Sequence, residues 1–265
     1  MLNLNEIITH IDAAQTELNA TQSLHNLQDF ELRILRDHLD TIRTAVSAEI
    51  GRKAAVSNGS GDAYKVFLRI IKGIEGNRPG LKGSFYTNRD HYLSVCDGSH
   101  AIRMFRDDFN PPMVPEGETP IDLDKIYKGI DTMMDTMERI ELPSVQTLKA
   151  YSKMETAARR AKYAKKYDPY WTPRYAIQHD AETGNCVRCF DTKLLIDVLE
   201  AIPDAAAYAR KTDGQSTMLY LRGTDGDAIV LPVILKSPDD FIDAVKKSEA
   251  LMNGSYFTEP MRSAV

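Results

Sequence analysis

Apolar and polar positions form the same arrangement twice along this chain. In residues 62–106, the apolar residues of AYKVFLRIIKGIE at 63–75 are at helical spacing. Short segments in which apolar and polar residues alternate follow this helix. Residues 190–236 begin with TKLLIDVLEAI at 192–202 and again continue as alternating segments. Helical spacing predicts an amphipathic helix, and alternation predicts half-buried strands. The sequence therefore predicts two copies of one helix-plus-three-strands unit and an internal pseudo-symmetry.

These patterns predict an α+β fold in which the two half-repeats, 62–106 and 175–236, form one domain. We expect the repeat helices to lie side by side on one face of the strands. A helical insertion is expected between the two halves. The predicted division is an N-terminal helical region at 1–55, the two-repeat domain at 60–236 with its insertion at about 120–168, and a C-terminal helix and tail at 237–265.

The regions outside the repeats are predicted to be helical. Leu32, Leu35, Leu39, Ile42 and Val46 follow a/d spacing over about two heptads, which fits a coiled coil or a helical hairpin. A further helix is predicted at about 121–141, with an apolar side formed by Ile126, Ile130, Met133, Met137 and Ile140. The segment Ser237-Pro238-Asp239-Asp240 has the residue types of a helix start.

Composition limits the choice of function. Of the 265 residues, 43% are hydrophobic and 27% are charged, and the net charge is −5, so any contact with nucleic acid needs a local basic patch. No apolar run is long enough to span a membrane, and the first residues do not resemble a signal peptide. The three cysteines favour a reducing compartment, for which the cytoplasm is the default expectation.

The first repeat helix has a basic stripe. Lys65, Arg69 and Lys72 are spaced i, i+4 and i+7, so they share one face. The stripe is either a solvated helix face or a surface that binds phosphates without reading sequence. On the second repeat helix the positions expected to face outward include Asp191, Lys193, Asp197 and Glu200, which makes that face mixed in charge.

A predicted helix at about 143–166 is the strongest local signal for nucleic acid. Its basic residues are Lys149, Lys153, Arg159, Arg160, Lys162, Lys165 and Lys166. The aromatic residues Tyr163, Tyr167, Tyr170 and Trp171 are interleaved or follow directly, which suits a phosphate backbone and stacking on exposed bases. The alternative is a helix whose cations pair with acidic residues on a partner or on the neighbouring helix, where Asp131, Asp135 and Glu138 are available.

No motif in the chain indicates catalysis. Cys186 and Cys189 form a CxxC, which is read as a buried strand cysteine with a free thiol, as a redox pair, or as half of a metal site without a second half. The six histidines are scattered, and no phosphate-binding loop or nucleophile motif occurs. We therefore expect a protein that is not an enzyme and that has neither a cofactor nor a metal.

Two segments resemble the bacterial replicative sliding clamp, the polymerase beta-subunit family. Val95-Cys96-Asp97-Gly98-Ser99-His100-Ala101-Ile102-Arg103 is similar to the family's Thr-Asp-Gly-His-Arg-Leu-Ala segment, with one inserted residue. LLIDVLEAI, the strands after it and IVLPVIL are similar to the family's closing unit, although Ile234 stands where the family usually has arginine. The resemblance covers about 95 residues and none of the helical additions.

The resemblance implies one clamp-like domain in a chain that has room for only one. A family chain has three such domains and two chains close a ring, so a ring here needs about six copies. It also implies a peptide pocket between Gly98 and His100 of one chain and Leu231, Pro232 and Val233 of another, and thus a homo-oligomer. The expected function is DNA replication or maintenance, with DNA, replication proteins or short peptides as partners and no membrane. The alternative is a protein-interaction module that neither forms a ring nor binds DNA.

Overall fold

A seven-stranded antiparallel sheet is the centre of the computed structural model. The structure describes residues 4–21, 29–77, 84–87, 92–105, 123–163, 168, 171–181, 184–210, 218–235 and 237–258. The helices in these ranges are α1 (Leu4–Thr21), α2 (Asp29–Ser57), α3 (Gly61–Asn77), α4 (Leu123–Asp131), α5 (Val145–Lys162), α6 (Thr192–Ala201) and α7 (Pro238–Met252). The strands are β1 (Ser84–Thr87), β2 (Tyr92–Cys96), β3 (His100–Met104), β4 (Met137–Ile140), β5 (Arg174–Ala181), β6 (Gly184–Asp191), β7 (Ala206–Arg210), β8 (Leu219–Arg222) and β9 (Gly226–Val230).

The two half-repeats join at the middle of this sheet. The strand order is β1-β2-β3-β9-β8-β7-β4, so each half contributes three consecutive strands and the halves meet where β3 pairs antiparallel with β9. His100 pairs with Val230 and Met104 with Gly226 across that junction. Gly98, with φ of +82°, supports the turn between β2 and β3, and an Asp-Gly pair is typical of such a turn. The mixed α+β class is confirmed.

One face of the sheet is covered by the repeat helices. Strand positions alternate, so residues such as Ile102 and Val230 point to this face and pack with Phe67 of α3, Tyr151 of α5 and Leu195 of α6. α3 and α5 each pack against α6, and α2 packs against α3. The repeat helices therefore lie side by side, and α5 extends their layer beyond α6.

The other face of the sheet is covered by α4. Leu123, Tyr127 and Ile130 pack on strand residues of the opposite parity, including Tyr220 and Ile229. The predicted helix at 121–141 is wrong in its length, because α4 ends at Asp131 and, after a short 3-10 helix, Met137–Ile140 forms β4 at the sheet edge beside β7. Ile126 is exposed and does not belong to the buried side.

Residues 174–191 differ from the prediction for the second repeat. They form the separate hairpin β5–β6, which packs against α7 and does not join the large sheet. β9 ends at Val230 and does not include the apolar residues Leu231–Leu235 that follow, because Pro232 has no N–H to donate and the chain turns away. Val233 instead donates its backbone N–H to the carbonyl oxygen of Cys189.

The helical additions mostly follow the sequence prediction. α1 and α2 form a helical hairpin in which Gln15 donates to Asp40 over 2.7 Å and Arg43 pairs with Asp12 at 3.1 Å. α2 is held to the domain by Tyr64, whose hydroxyl donates to the carbonyl oxygen of Ala48. Ser237 caps α7 as predicted, with its hydroxyl accepting from the N–H of Asp240.

Candidate nucleic-acid interface

Two rows of cations lie on the outer surface of the helical layer, one on α3 and one on α5. On α3, burial of Val66, Phe67 and Ile70 turns Lys65, Arg69 and Lys72 outward, as the spacing predicted. Lys65 pairs with Asp62 at 2.8 Å at the start of the helix. Lys72 is exposed and has no acidic partner within the described ranges.

The α5 row borders an open groove. Ser144 caps α5 by accepting from the N–H of Thr147, and Leu148 and Tyr151 bury the opposite side of the helix. The groove, of about 690 Å³, is lined by Lys149, Ser152, Lys153, Thr156, Ala157, Arg160 and Ile196. We name these residues the basic groove. Their three cations span about 16 Å of helix at 1.5 Å per residue, with two hydroxyls between them.

An ion-pair chain connects the two rows across α6. Arg69 and Lys149 each reach one oxygen of Glu200 at 2.6 Å, and Arg69 also pairs with Asp197. The expectation that Asp197 faces outward is wrong, because its side chain is buried under Arg69. Burial raises the pKa of Asp197, although the guanidinium opposes the rise.

The chain of ion pairs continues inward to His100, which the resemblance to the clamp family placed in a peptide pocket. The buried His100 lies with Nδ1 3.0 Å from Asp97 Oδ1 and Nε2 3.8 Å from Asp197 Oδ2. Burial raises the pKa of Asp97, but the contact with His100 and the N–H groups of His100 and Ser99 outweigh it and hold that pKa at about 2. His100 therefore contacts Asp97 of the β2–β3 turn and faces Asp197 of α6 from inside the fold.

The predicted peptide residues meet in one chain. Leu231 donates its N–H to the carbonyl oxygen of Ser99 over 2.8 Å, directly beyond the pairing of His100 with Val230. The two segments are thus neighbours within one chain because β3 pairs with β9, and completion of a peptide pocket by a second chain stays a prediction. Leu231 is exposed, Pro232 and Val233 are half-buried, and Gly98 is half-buried in the turn.

The remaining cations of α5 are on another side of the helix. The guanidinium of Arg159 lies between two rings, 4.8 Å from the centroid of Tyr163 and 4.5 Å from that of Trp171. Lys162 is exposed, with its Nζ 5.4 Å from the Tyr163 centroid. Arg159 is thus engaged by the aromatic residues that the sequence offered for base stacking. Lys165 and Lys166 lie outside the described residues.

The cysteine pair of the CxxC motif lies in β6. Cys189 is buried in β6, and burial raises its pKa to about 11, which disfavours the thiolate that redox chemistry needs. Within the described parts of the chain, no group of three His, Cys, Asp or Glu side chains is arranged to hold a metal ion.

The sequence analysis did not single out Glu200, which links Arg69 and Lys149, or Ser152, Thr156 and Ile196, which line the groove. These positions become neighbours only when α6 packs against both α3 and α5. The i, i+4 spacing of Ser152 and Thr156 beside Lys149 and Lys153 was a signal available in the sequence.

Comparison with known proteins does not indicate a function for this chain. No protein-family model, curated protein or solved structure matches this chain. Among the helices of the described ranges, none combines the length and the apolar character that crossing a membrane requires.

Proposed function

We propose that this protein is a non-enzymatic, sliding-clamp-like protein of DNA replication or maintenance that binds the DNA backbone without reading its sequence. The observation that supports this most is the basic groove beside two repeat helices that lie side by side on one antiparallel sheet. Lysine and arginine side chains with hydroxyls between them match phosphate oxygens and offer no pattern that distinguishes bases.

The binding surface extends from the basic groove towards the α3 row. Lys153 is exposed on α5 and Lys72 on α3, and neither has an acidic partner among the described side chains. Affinity comes from release of the counterions that these cations displace from phosphates, so it falls steeply as salt is added. The net charge of −5 limits this attraction to the one surface and keeps non-specific association elsewhere weak.

Assembly into a ring is the second part of this proposal. β1 and β4 end the strand order of the large sheet, and edge strands are the natural place for further pairing between copies. About six copies complete the six-domain arrangement of the clamp family, which the resemblance implies. Leu231, Pro232 and Val233 offer partner peptides an apolar contact beside the junction of β3 and β9.

The test is equilibrium binding of labelled duplexes of unrelated sequence at low salt, together with the mass of the protein by light scattering. We expect equal affinity for all duplexes, loss of binding between about 50 and 200 mM salt, and a mass of several chains. Absence of binding at the lowest salt would overturn the DNA proposal, and a monomeric mass would overturn the ring.

A protein-interaction module is the second candidate, and exposed apolar residues favour it. Ile234 is 89% exposed and Leu231 is 45% exposed, close to each other in the chain between β9 and α7. Large apolar side chains on the surface are typical of contacts with partner proteins when they form a patch. Replacement of both by Ser should abolish binding of partner peptides if this candidate is right, and should leave DNA binding unchanged.

A further inference from the structure

Three helices converge on one carboxylate at the surface of the helical layer. Arg69 of α3 and Lys149 of α5 each contact a different oxygen of Glu200, which α6 supplies, at 2.6 Å. The two cations are 41% and 51% exposed and the carboxylate is 21% exposed, so solvent reaches the cluster from the same side as the basic groove.

The arrangement of two cations around one carboxylate also suits a bound phosphate. An oxyanion shared between a guanidinium and an ammonium, with one oxygen for each, occurs when Arg and Lys hold a phosphate. Arg69 also pairs with the buried Asp197, so one of its two ion pairs does not involve Glu200. Burial raises the pKa of Glu200, but Arg69 and Lys149 outweigh it and lower that pKa, so Glu200 stays ionised at neutral pH.

We propose that this junction is a phosphate site in which Glu200 takes the place of the phosphate, so that Glu200 competes with the nucleic-acid backbone for Arg69 and Lys149. The inference rests on the proposed function and specifies its regulation. Lys149 also lines the basic groove, so displacement of Glu200 joins the groove to the α3 row. The protein therefore binds backbone weakly while Glu200 is in place and more tightly when it is displaced.

The variant Glu200→Gln tests the competition. Gln keeps the size of the side chain and an oxygen that accepts a hydrogen bond, but it removes the charge that holds both cations. Two additional phosphate contacts should steepen the slope of log K against log salt by about 1.8 and raise duplex affinity at least tenfold at about 0.1 M salt.

Two further variants provide the controls. Glu249→Gln on α7 makes the same change in net charge on an exposed side chain away from the junction, and it should alter duplex affinity less than about twofold. Adding Lys149→Gln to Glu200→Gln should remove about half of the gain in slope, because one of the two released cations is lost. Thermal unfolding of each variant checks that the fold is retained.

The outcomes separate this inference from the proposed function. Binding by the wild type with a steeper slope for Glu200→Gln supports both, and binding by Glu200→Gln alone supports the competition most strongly. Binding by the wild type with no change of slope overturns the role of Glu200 and leaves the proposed function standing. No binding by either protein overturns both.

Discussion

The two faces of the central sheet each have a charged network, and the networks differ in how far solvent reaches them. Under α4, Arg103 donates to both oxygens of the fully buried Asp227, at 2.9 and 2.5 Å, and Tyr220 donates to the same carboxylate. Under the repeat helices, the network of Asp197 and Glu200 reaches the surface at Lys149. The proposed exchange of a protein carboxylate for a ligand concerns the second network, because its cations Arg69 and Lys149 are exposed.

The network of Arg103, Asp227 and Tyr220 under α4 is an example of a buried charge cluster with a structural role. We call it the sealed network. The ring of Tyr127 lies 3.9 Å from the Arg103 guanidinium and closes the cluster against α4. Burial raises the pKa of Asp227, although the hydrogen bonds from Arg103 and Tyr220 oppose that rise. Removal of Arg103 leaves the carboxylate of Asp227 buried without the guanidinium that donates to it, which costs far more than the intact pair contributes.

The largest expected effect is on stability, from Arg103→Ala. It leaves Asp227 buried without the guanidinium that donates to both of its oxygens and should lower the free energy of unfolding by about 3–5 kcal/mol. Denaturant unfolding measures the loss, and Arg222→Ala on the neighbouring strand is the matched control because Arg222 is exposed. A loss no larger than that of the control would show that the network is not sealed.

Acid pH should weaken the helical-face network through Asp97. Its folded pKa, about 2, is below the ordinary value of 3.8, so its contribution is present above pH 3.8 and is lost as pH falls towards 2. A shift of this size corresponds to about 2 kcal/mol. Unfolding followed from pH 5 downward should therefore show a loss in the wild type that is missing in Asp97→Asn. Parallel curves for the two proteins would contradict this role of Asp97.

A smaller effect is expected for Arg159→Gln, which removes the cation–π contacts of the Arg159 guanidinium with the rings of Trp171 and Tyr163. The loss should be about 1 kcal/mol of unfolding free energy, the size of a partly exposed cation–π contact. Duplex affinity should change little, because Arg159 is outside the basic groove. Thermal unfolding and duplex binding on the same samples test both statements, and a large loss of affinity without loss of stability would place Arg159 in the interface.

Sequence periodicity was sufficient for the elements that bury one clear face. The spacing of Phe67 and Ile70 predicted α3, and the doubled pattern predicted the side-by-side repeat helices. Periodicity failed at Met137–Ile140, where helical spacing over 126–140 concealed an edge strand that the neighbouring β7 stabilises. Pairing across the sheet is a tertiary contact, and local spacing does not report it.

The candidate site was predictable as a set of cations but not as a surface. Spacing placed Lys65, Arg69 and Lys72 on one face. Arg69, however, is engaged by Glu200, which is 131 positions away in the chain, and local spacing does not predict this contact. Likewise, Lys149, Lys153 and Arg160 of α5 line the open groove, whereas Arg159 of the same helix contacts the ring of Trp171. Spacing along the helix does not predict this difference. The number of cations in a helix does not reveal which of them a ligand can reach.

The central claim is tested most directly by the salt dependence of duplex binding for the wild type and for the double variant Lys153→Gln/Arg160→Gln. The account predicts that the variant loses about two phosphate contacts, which reduces the slope of log K against log salt by about 1.8 and the affinity at about 0.1 M salt on the order of 50-fold. Arg159→Gln/Lys162→Gln, with the same change in charge on another side of α5, should bind nearly as tightly as the wild type. Equal slopes for the wild type and the groove variant would contradict the claim that the basic groove binds the backbone.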